Sequence, residues 1–551
     1  MHQRAAVWIV AAAVLVGCGA TSSRAQSELY ASGGELSQEQ ASYDVSFYDL
    51  DVRVQPADSS IAGYVTTTAR IVQPMRWFVL DLDPRLDVEE ASEDDVALPF
   101  ERRGDELWID LQRTRQPGTS VTVRVEYGGI PRVAPNPPWD GGLTWARTAG
   151  GDPWIATSCQ VTGADVWWPV KDHPSDEPDS MAIRFTVPEP LTAASNGRLR
   201  DVEEHGDGWR TFHWFVSTPI NVYNVALNAA PYEAIEETHT GPGGESYPVV
   251  FYVLPEDIER GRAFMDEIHD QLTFFEERFG PYPFRADKYG VVQTPHLGME
   301  HQTIIAYGAN FNNAAMTGRD WGFDALHHHE LAHEWFGNLV TNVDWSDMWL
   351  HEGFGTYTQA LYMEELDGSD GYHAYMNSIE GGIQNRVPVA PDGPLSSAEI
   401  YGGDIYNKGA WVLHMLRYLI DDDPTFDLLL RRMAYPDPAL EEVTDGSHTR
   451  FAVTEDFVTL AEETTGRELS WFFDVYLRAA DVPRLAAIRQ GDRLTVRWDA
   501  PLENEFPMPV EVQLGAEIVR VEMAGDEAVL DVPPDVDPII DPNNWLLSAG
   551  T

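Results

Sequence analysis

The chain has 551 residues, more than one hydrophobic core holds together, so about three domains are expected. Its formal net charge of −52, spread along the chain, repels phosphate backbones and argues against nucleic acid as a partner. Two cysteines leave no disulfide framework, and beyond the N-terminus no stretch is apolar enough to span a membrane. The acidity reads either as a solvated surface or as adaptation to salty surroundings, where screening relieves self-repulsion.

In chain order, residues 1–25 read as a targeting segment. Arg4 supplies the positive start, 5–16 are almost continuously apolar, and the run ends in Leu15-Val16-Gly17-Cys18. This resembles the bacterial lipobox, whose cysteine becomes a lipidated N-terminus; the alternative is a simple secretory cut after Ala25. Either exports the chain, and the expected location is the bacterial cell envelope or periplasm, with membrane contact only through a lipid anchor on Cys18. Residues 26–40 read as a flexible tether. Residues 41–235 read as an antiparallel β domain, with period-two alternation at 45–52, 61–72, 121–127, 182–187 and 211–216. Within it, Cys159 reads as a small buried apolar residue.

Residues 236–480 change character. A helix is expected over 255–279, strands over 289–292 and 303–307, and helices over 323–339, 347–366, 407–421, 454–464 and 469–479. A strand-bearing half followed by a helical half is the plan of a thermolysin-like catalytic domain. Residues 481–551 read as a small β domain, with strands at 494–498, 510–514 and 518–521. The fold class is therefore multidomain α+β.

His329-Glu330-Leu331-Ala332-His333 is an HExxH motif within a helical pattern. Positions i and i+4 share a helix face, so both imidazoles reach one ion. Two histidines and a carboxylate suit one catalytic Zn2+ per chain, with a fourth position left for water. Glu352, in Trp349-Leu350-His351-Glu352-Gly353-Phe354 on the next helix, supplies the carboxylate. Glu330 sits beside the ligands without being one, and is placed to take a proton from water and deliver it to a leaving amine. His327 and His328 fall on other helix faces and read as packing residues or as supports behind the ligands, not as ligands.

Eighteen residues separate His333 from Glu352, and HExxH followed at that interval by Glu in WLxEGF resembles the aminopeptidase N family, which includes leukotriene hydrolase. The stretch from His329 to Asn338 and Phe279-Gly280-Pro281-Tyr282-Pro283-Phe284 are similar to the same family. The resemblance covers essentially the whole mature chain. It implies a saddle-like antiparallel β domain, a thermolysin-like α+β domain and a small β-sandwich, without the large helical domain that follows in the family, since the chain stops at Thr551. Ile405-Tyr406-Asn407-Lys408-Gly409 resembles the family's YxKG segment, implying that Tyr406 stabilises the tetrahedral intermediate; Lys408 reads as structural. Gly298-Met299-Glu300-His301 resembles GxMEN, implying that Gly298 and Met299 pair with substrate backbone and Glu300 meets its amine. Gln160 matches the amine-contacting glutamine of QxE. Two positions depart from the family: His301 stands for Asn and Thr162 for Glu, and the loss of a carboxylate at Thr162 bears on the strength and selectivity of the amine pocket.

The resulting expectation is an exported zinc aminopeptidase acting on peptides with a free N-terminus. A related hydrolase acting on an epoxide and a catalytically silent binding lipoprotein are the alternatives; loss of a ligand, of Glu330 or of Tyr406 would favour the silent protein, and all are present.

Overall fold

Alternating burial builds the first strand: in Tyr43–Gln55 the side chains of Tyr43, Val45, Tyr48, Leu50, Val52 and Val54 are buried. The computed structural model describes residues 30–502 and 505–549. The targeting segment, Cys18 and the cut after Ala25 lie outside the described residues. Tyr43–Gln55 sits inside an eight-stranded sheet. Its neighbours are Ser60–Ile71, antiparallel, and Ser180–Pro188, which pairs with it in parallel. That parallel pair is the exception to the antiparallel sheet expected here. Two smaller sheets, one of three strands (Met75–Asp81, Phe100–Arg103, Glu106–Arg115) and one of four reaching Asn228–Ala230, complete the N-terminal β domain. Cys159 is buried in its core, and burial pushes the thiol well above its usual range.

A five-stranded mixed sheet begins at Glu233–Thr240, so the chain enters the next region before residue 236. Its strand Ser246–Val253 places Tyr247, Val249, Phe251 and Val253 in the core of the helical region, and Val250 and Tyr252 in the core of the N-terminal domain. One sheet thus seals both cores. Its edge strand is Gly298–Met299, paired on one side only, with Ile305–Tyr307.

The helices that matter for the site are α1 (Ile258–Phe279), α2 (Ala325–Ala332), α3 (Trp349–Glu380), α4 (Ser397–Ile400) and α5 (Gly403–Ile420). Asp324 caps α2 by accepting from His327 N at 3.0 Å. The helix expected to reach residue 339 is shorter, because after His333 the backbone widens: Asn338, Leu339 and Val340 donate to the carbonyls of His333, Glu334 and Trp335, five residues back. Near the expected end at 366, α3 kinks at Gly368 (φ 66°) and continues to Glu380. The C-terminal region is two three-stranded sheets that contribute Leu494, Val496, Val510 and Val512 to one core.

The expected tether corrects most clearly. Residues 30–40 are docked: Ser32 and Gln40 are buried, and Gln40 Nε2 donates to both oxygens of Asp81 at 2.9 and 2.8 Å. Serine- and glycine-rich composition predicts freedom, but hydrogen bonds from the Ser32 backbone and the Gln40 side chain hold this part of the chain to the fold. No helix among the described residues is long and apolar enough to cross a membrane.

Candidate active site

The nine residues singled out in the sequence line one cavity of about 190 Å3. His329 Nε2 lies 3.2 Å from both His333 Nε2 and Glu352 Oε2, and His333 Nε2 lies 3.5 Å from the same oxygen. Ligands about 2.0–2.2 Å from a tetrahedral ion sit about 3.3–3.5 Å apart, so this triangle fits one zinc ion. His333 Nδ1 donates to Phe336 O at 3.0 Å, which fixes the tautomer that leaves Nε2 free to ligate. The expected set is thus assembled from the last turn of α2 and the first turn of α3, and one turn on, Gly355 leaves room for the two imidazoles.

Charge makes the same demand for a cation. Glu300, Glu330 and Glu352 are all buried, and among the described residues no lysine or arginine is bonded to them. Burial raises Glu330 well above the ordinary carboxylate range, with Glu300 and Glu352 adding to the shift. Burial would lower His333, but the Glu352, Glu300 and Glu330 carboxylates push it up to about 10. Burial would raise Glu352, yet His333 and His329 hold it well below its usual range.

Gln160 joins the carboxylates. Its Nε2 donates to Glu300 Oε1 and, at 2.8 Å, to Glu352 Oε1. Tyr223 OH donates to Glu300 Oε1 at 3.0 Å, and Asn338 Nδ2 holds the Glu300 carbonyl at 3.1 Å. Gly298 permits the approach of Glu330: a Cβ there would lie 2.5 Å from Glu330 Oε1. Gly298 and Met299 face the cavity from the unpaired edge of the sheet. Tyr406, on the first turn of α5, stacks its ring at 5.9 Å from that of His329.

Sequence reasoning missed Tyr401, Tyr223 and Trp139. Tyr401 OH donates to Gln160 Oε1 at 2.8 Å and contacts the Tyr406 hydroxyl. It follows the four-residue α4, too short to leave a periodic signal. Trp139, 51% exposed, lines both this cavity and an adjoining one of about 420 Å3. The two departures from the family lie outside the catalytic cavity: Thr162 lines the adjoining one. His301 is fully buried, and burial pushes it down to about 3, so it is neutral. His327 bonds to Gln271 and Tyr289, and His328 packs against Phe275 and Tyr362, as packing roles require. Lys408 Nζ donates to Ala479 O at 3.2 Å and Ala480 O at 3.0 Å, a structural role.

Comparison with known proteins agrees with this geometry. Residues 45–223 match the peptidase M1 N-terminal domain and residues 264–476 match the peptidase family M1 domain. Aminopeptidase N of Streptomyces lividans is 28% identical over 366 residues, 60% of this chain and 39% of that protein. Transcription initiation factor TFIID subunit 2 of Drosophila melanogaster is 26% identical over 411 residues, 66% of this chain and 33% of that protein. The chain therefore spans well under half the length of these two relatives. The M1 zinc metallopeptidase of Deinococcus radiodurans superposes with a TM-score of 0.65 at 26% identity, covering 80% of this chain and 94% of that one. A variant of that enzyme bound to a Tyr-Ser-Ala substrate superposes equally well. With both domain models matched in order and the HExxH histidines meeting the distant glutamate in space, the chain belongs to peptidase family M1, the aminopeptidase N family.

Proposed function

We propose that this chain is a zinc aminopeptidase that removes the N-terminal residue of peptides. The observation that carries the reading is the joining of two groups through one side chain: Gln160 bridges Glu352, a donor of the metal triangle, to Glu300, a carboxylate outside it. His329, His333 and Glu352 would hold the ion. When bound there, zinc supplies a Lewis acid for the scissile carbonyl and brings the pKa of a water to about 7.

The chain's own groups do the rest. Glu330 accepts the attacking water's proton and returns it to the leaving amine. Glu300 and the Gln160 amide receive the substrate's ammonium, which offsets the cost of keeping carboxylates buried. Substrate backbone adds to the free edge at Gly298 and Met299, which face the cavity. Tyr406 donates to the carbonyl oxygen as negative charge develops there. Supporting the orientation, Gln160 gives both amide hydrogens to carboxylates and takes one from Tyr401, which leaves the Tyr401 oxygen to accept the Tyr406 hydrogen until the substrate carbonyl takes it over.

Export as a lipoprotein is part of the proposal and rests on Leu15-Val16-Gly17-Cys18 at the end of the apolar run. Identification of the mature N-terminus tests it: a lipidated Cys18 supports anchoring, and a free Gln26 supports simple secretion. A panel of aminoacyl fluorogenic substrates, with and without a chelator, tests the activity. Turnover that survives complete zinc removal contradicts it.

A further inference from the structure

The docked N-terminal segment crosses the seam between the N-terminal β domain and the helical region beside the site. Ser32 N–H donates to Ser397 Oγ at 3.0 Å and lies 3.3 Å from Val161 O. Ser397 N–H donates back to Ser32 O at 2.9 Å, and Ser397 Oγ donates to Val161 O at 2.5 Å. Gly33 bridges to Ser396, and Gly34 O accepts from His173 Nε2 at 2.9 Å. Gly33 has φ +75°, and a Cβ there would overlap the Trp345 ring.

The grips on Val161, Ser397 and Trp345 end one step from the catalytic cavity. Val161 follows Gln160. Ser397 opens α4, whose cap is Tyr401, and Tyr401 N–H donates to Ser397 O at 2.9 Å. Trp345, against which Gly33 lies, has its ring 6.5 Å from that of Tyr401 and 6.2 Å from that of Tyr223, the donor to Glu300. The chain before α4, residues 381–396, has no helix or strand of its own to hold Tyr401 in place. Residues 32–34 do not line the cavity themselves.

We propose that Ser32, Gly33 and Gly34 form a clip that positions Gln160 and Tyr401, so that the ammonium pocket and the Tyr406 hydroxyl are in register only while the clip is docked. The inference rests on the aminopeptidase reading and names its regulation: whatever frees the N-terminal segment loosens recognition of the substrate amine without touching the metal donors.

The test uses the full chain with Gly33→Val, which cannot dock without displacing Trp345, and with Ser397→Ala, which removes two of the bonds. Each is combined with Tyr401→Phe. Calorimetry measures the affinity for leucine amide and for its N-acetyl derivative, alongside zinc content, Tm and kcat/KM. Gly33→Val is expected to weaken leucine amide binding about tenfold and acetylated binding less than about twofold, with one zinc per chain retained. Ser397→Ala acts in the same direction to a smaller extent. In the Tyr401→Phe background either change adds little, because the coupled partner is already lost. A fall in Tm with the free-to-acetylated ratio unchanged makes the segment a structural staple only and overturns the proposal. So does full additivity with Tyr401→Phe. A parent protein that itself fails to distinguish the two amides instead overturns the aminopeptidase reading.

Discussion

Glu330 lies beside both histidine donors but outside their triangle, with its carboxylate against Gly298. That placement predicts that Glu330→Gln keeps zinc and fold while losing nearly all turnover; equal loss of zinc would show that it ligates instead. His329→Ala, His333→Ala and Glu352→Ala each lower metal occupancy, read by metal analysis after dialysis. Tyr406→Phe is expected to cut kcat strongly with KM nearly unchanged, because the hydroxyl is needed only once charge develops on the carbonyl. His329, His333 and Glu330 were legible because helical spacing brings i and i+4 together, and Glu352 because it stands in Trp349-Leu350-His351-Glu352-Gly353-Phe354 on the next helix. Tyr401 and Tyr223 were not, because each reaches the site across a domain seam from a segment with no periodic pattern.

Helix crossing sets the distance between the metal and the tyrosines. α3 carries Glu352 and α5 carries Tyr406, and the two meet where a Cβ on Gly353 would lie 2.9 Å from the Gly409 Cα. Gly353→Ala therefore forces the helices apart and is expected to cost about 1–3 kcal/mol, read by denaturant unfolding, with reduced zinc affinity. A wild-type midpoint with full zinc would show that the crossing has slack. Amphipathic strands such as Tyr43–Gln55 were readable from alternation. Strand Ser246–Val253 was not, because it is buried on both faces and reads as an unbroken apolar run, and Gly298–Met299 is too short to carry a period. The end of α2 was misjudged because the widening after His333 keeps helical composition while changing the hydrogen-bond register.

The whole molecule carries −52 formal charges and folds some of its acids into low-dielectric surroundings. Burial, with Asp172 and Asp105 nearby, pushes Asp81 up to about 8, and burial raises Asp165 and Asp172 as well. A carboxyl whose folded pKa exceeds its unfolded value binds its proton more tightly when folded. Its stabilisation is full below the unfolded value and is lost as pH rises through the folded one. Tm is thus expected to fall as pH rises from about 4 to about 8, and Asp81→Asn to flatten that slope; a flat profile in the parent chain contradicts it. At fixed pH, 1 M salt is expected to raise Tm by screening self-repulsion, and an unchanged Tm would mean the charges are already locally compensated. Composition showed the excess charge but could not show which acids the fold buries, nor that residues 30–40 dock.

Recognition of a free amine through a zinc centre is the claim on which the rest depends, and matched peptides differing only in N-terminal acetylation test it most directly. Glu300 and Glu352, joined by Gln160, need a cation that the acetylated peptide does not bring. With one zinc per chain, kcat/KM for the free peptide is expected to exceed that for the acetylated one by at least about tenfold, about 1.4 kcal/mol, and both rates to vanish when zinc is removed. Equal cleavage of the two peptides by the zinc-loaded protein would contradict the account while leaving a zinc endopeptidase in its place.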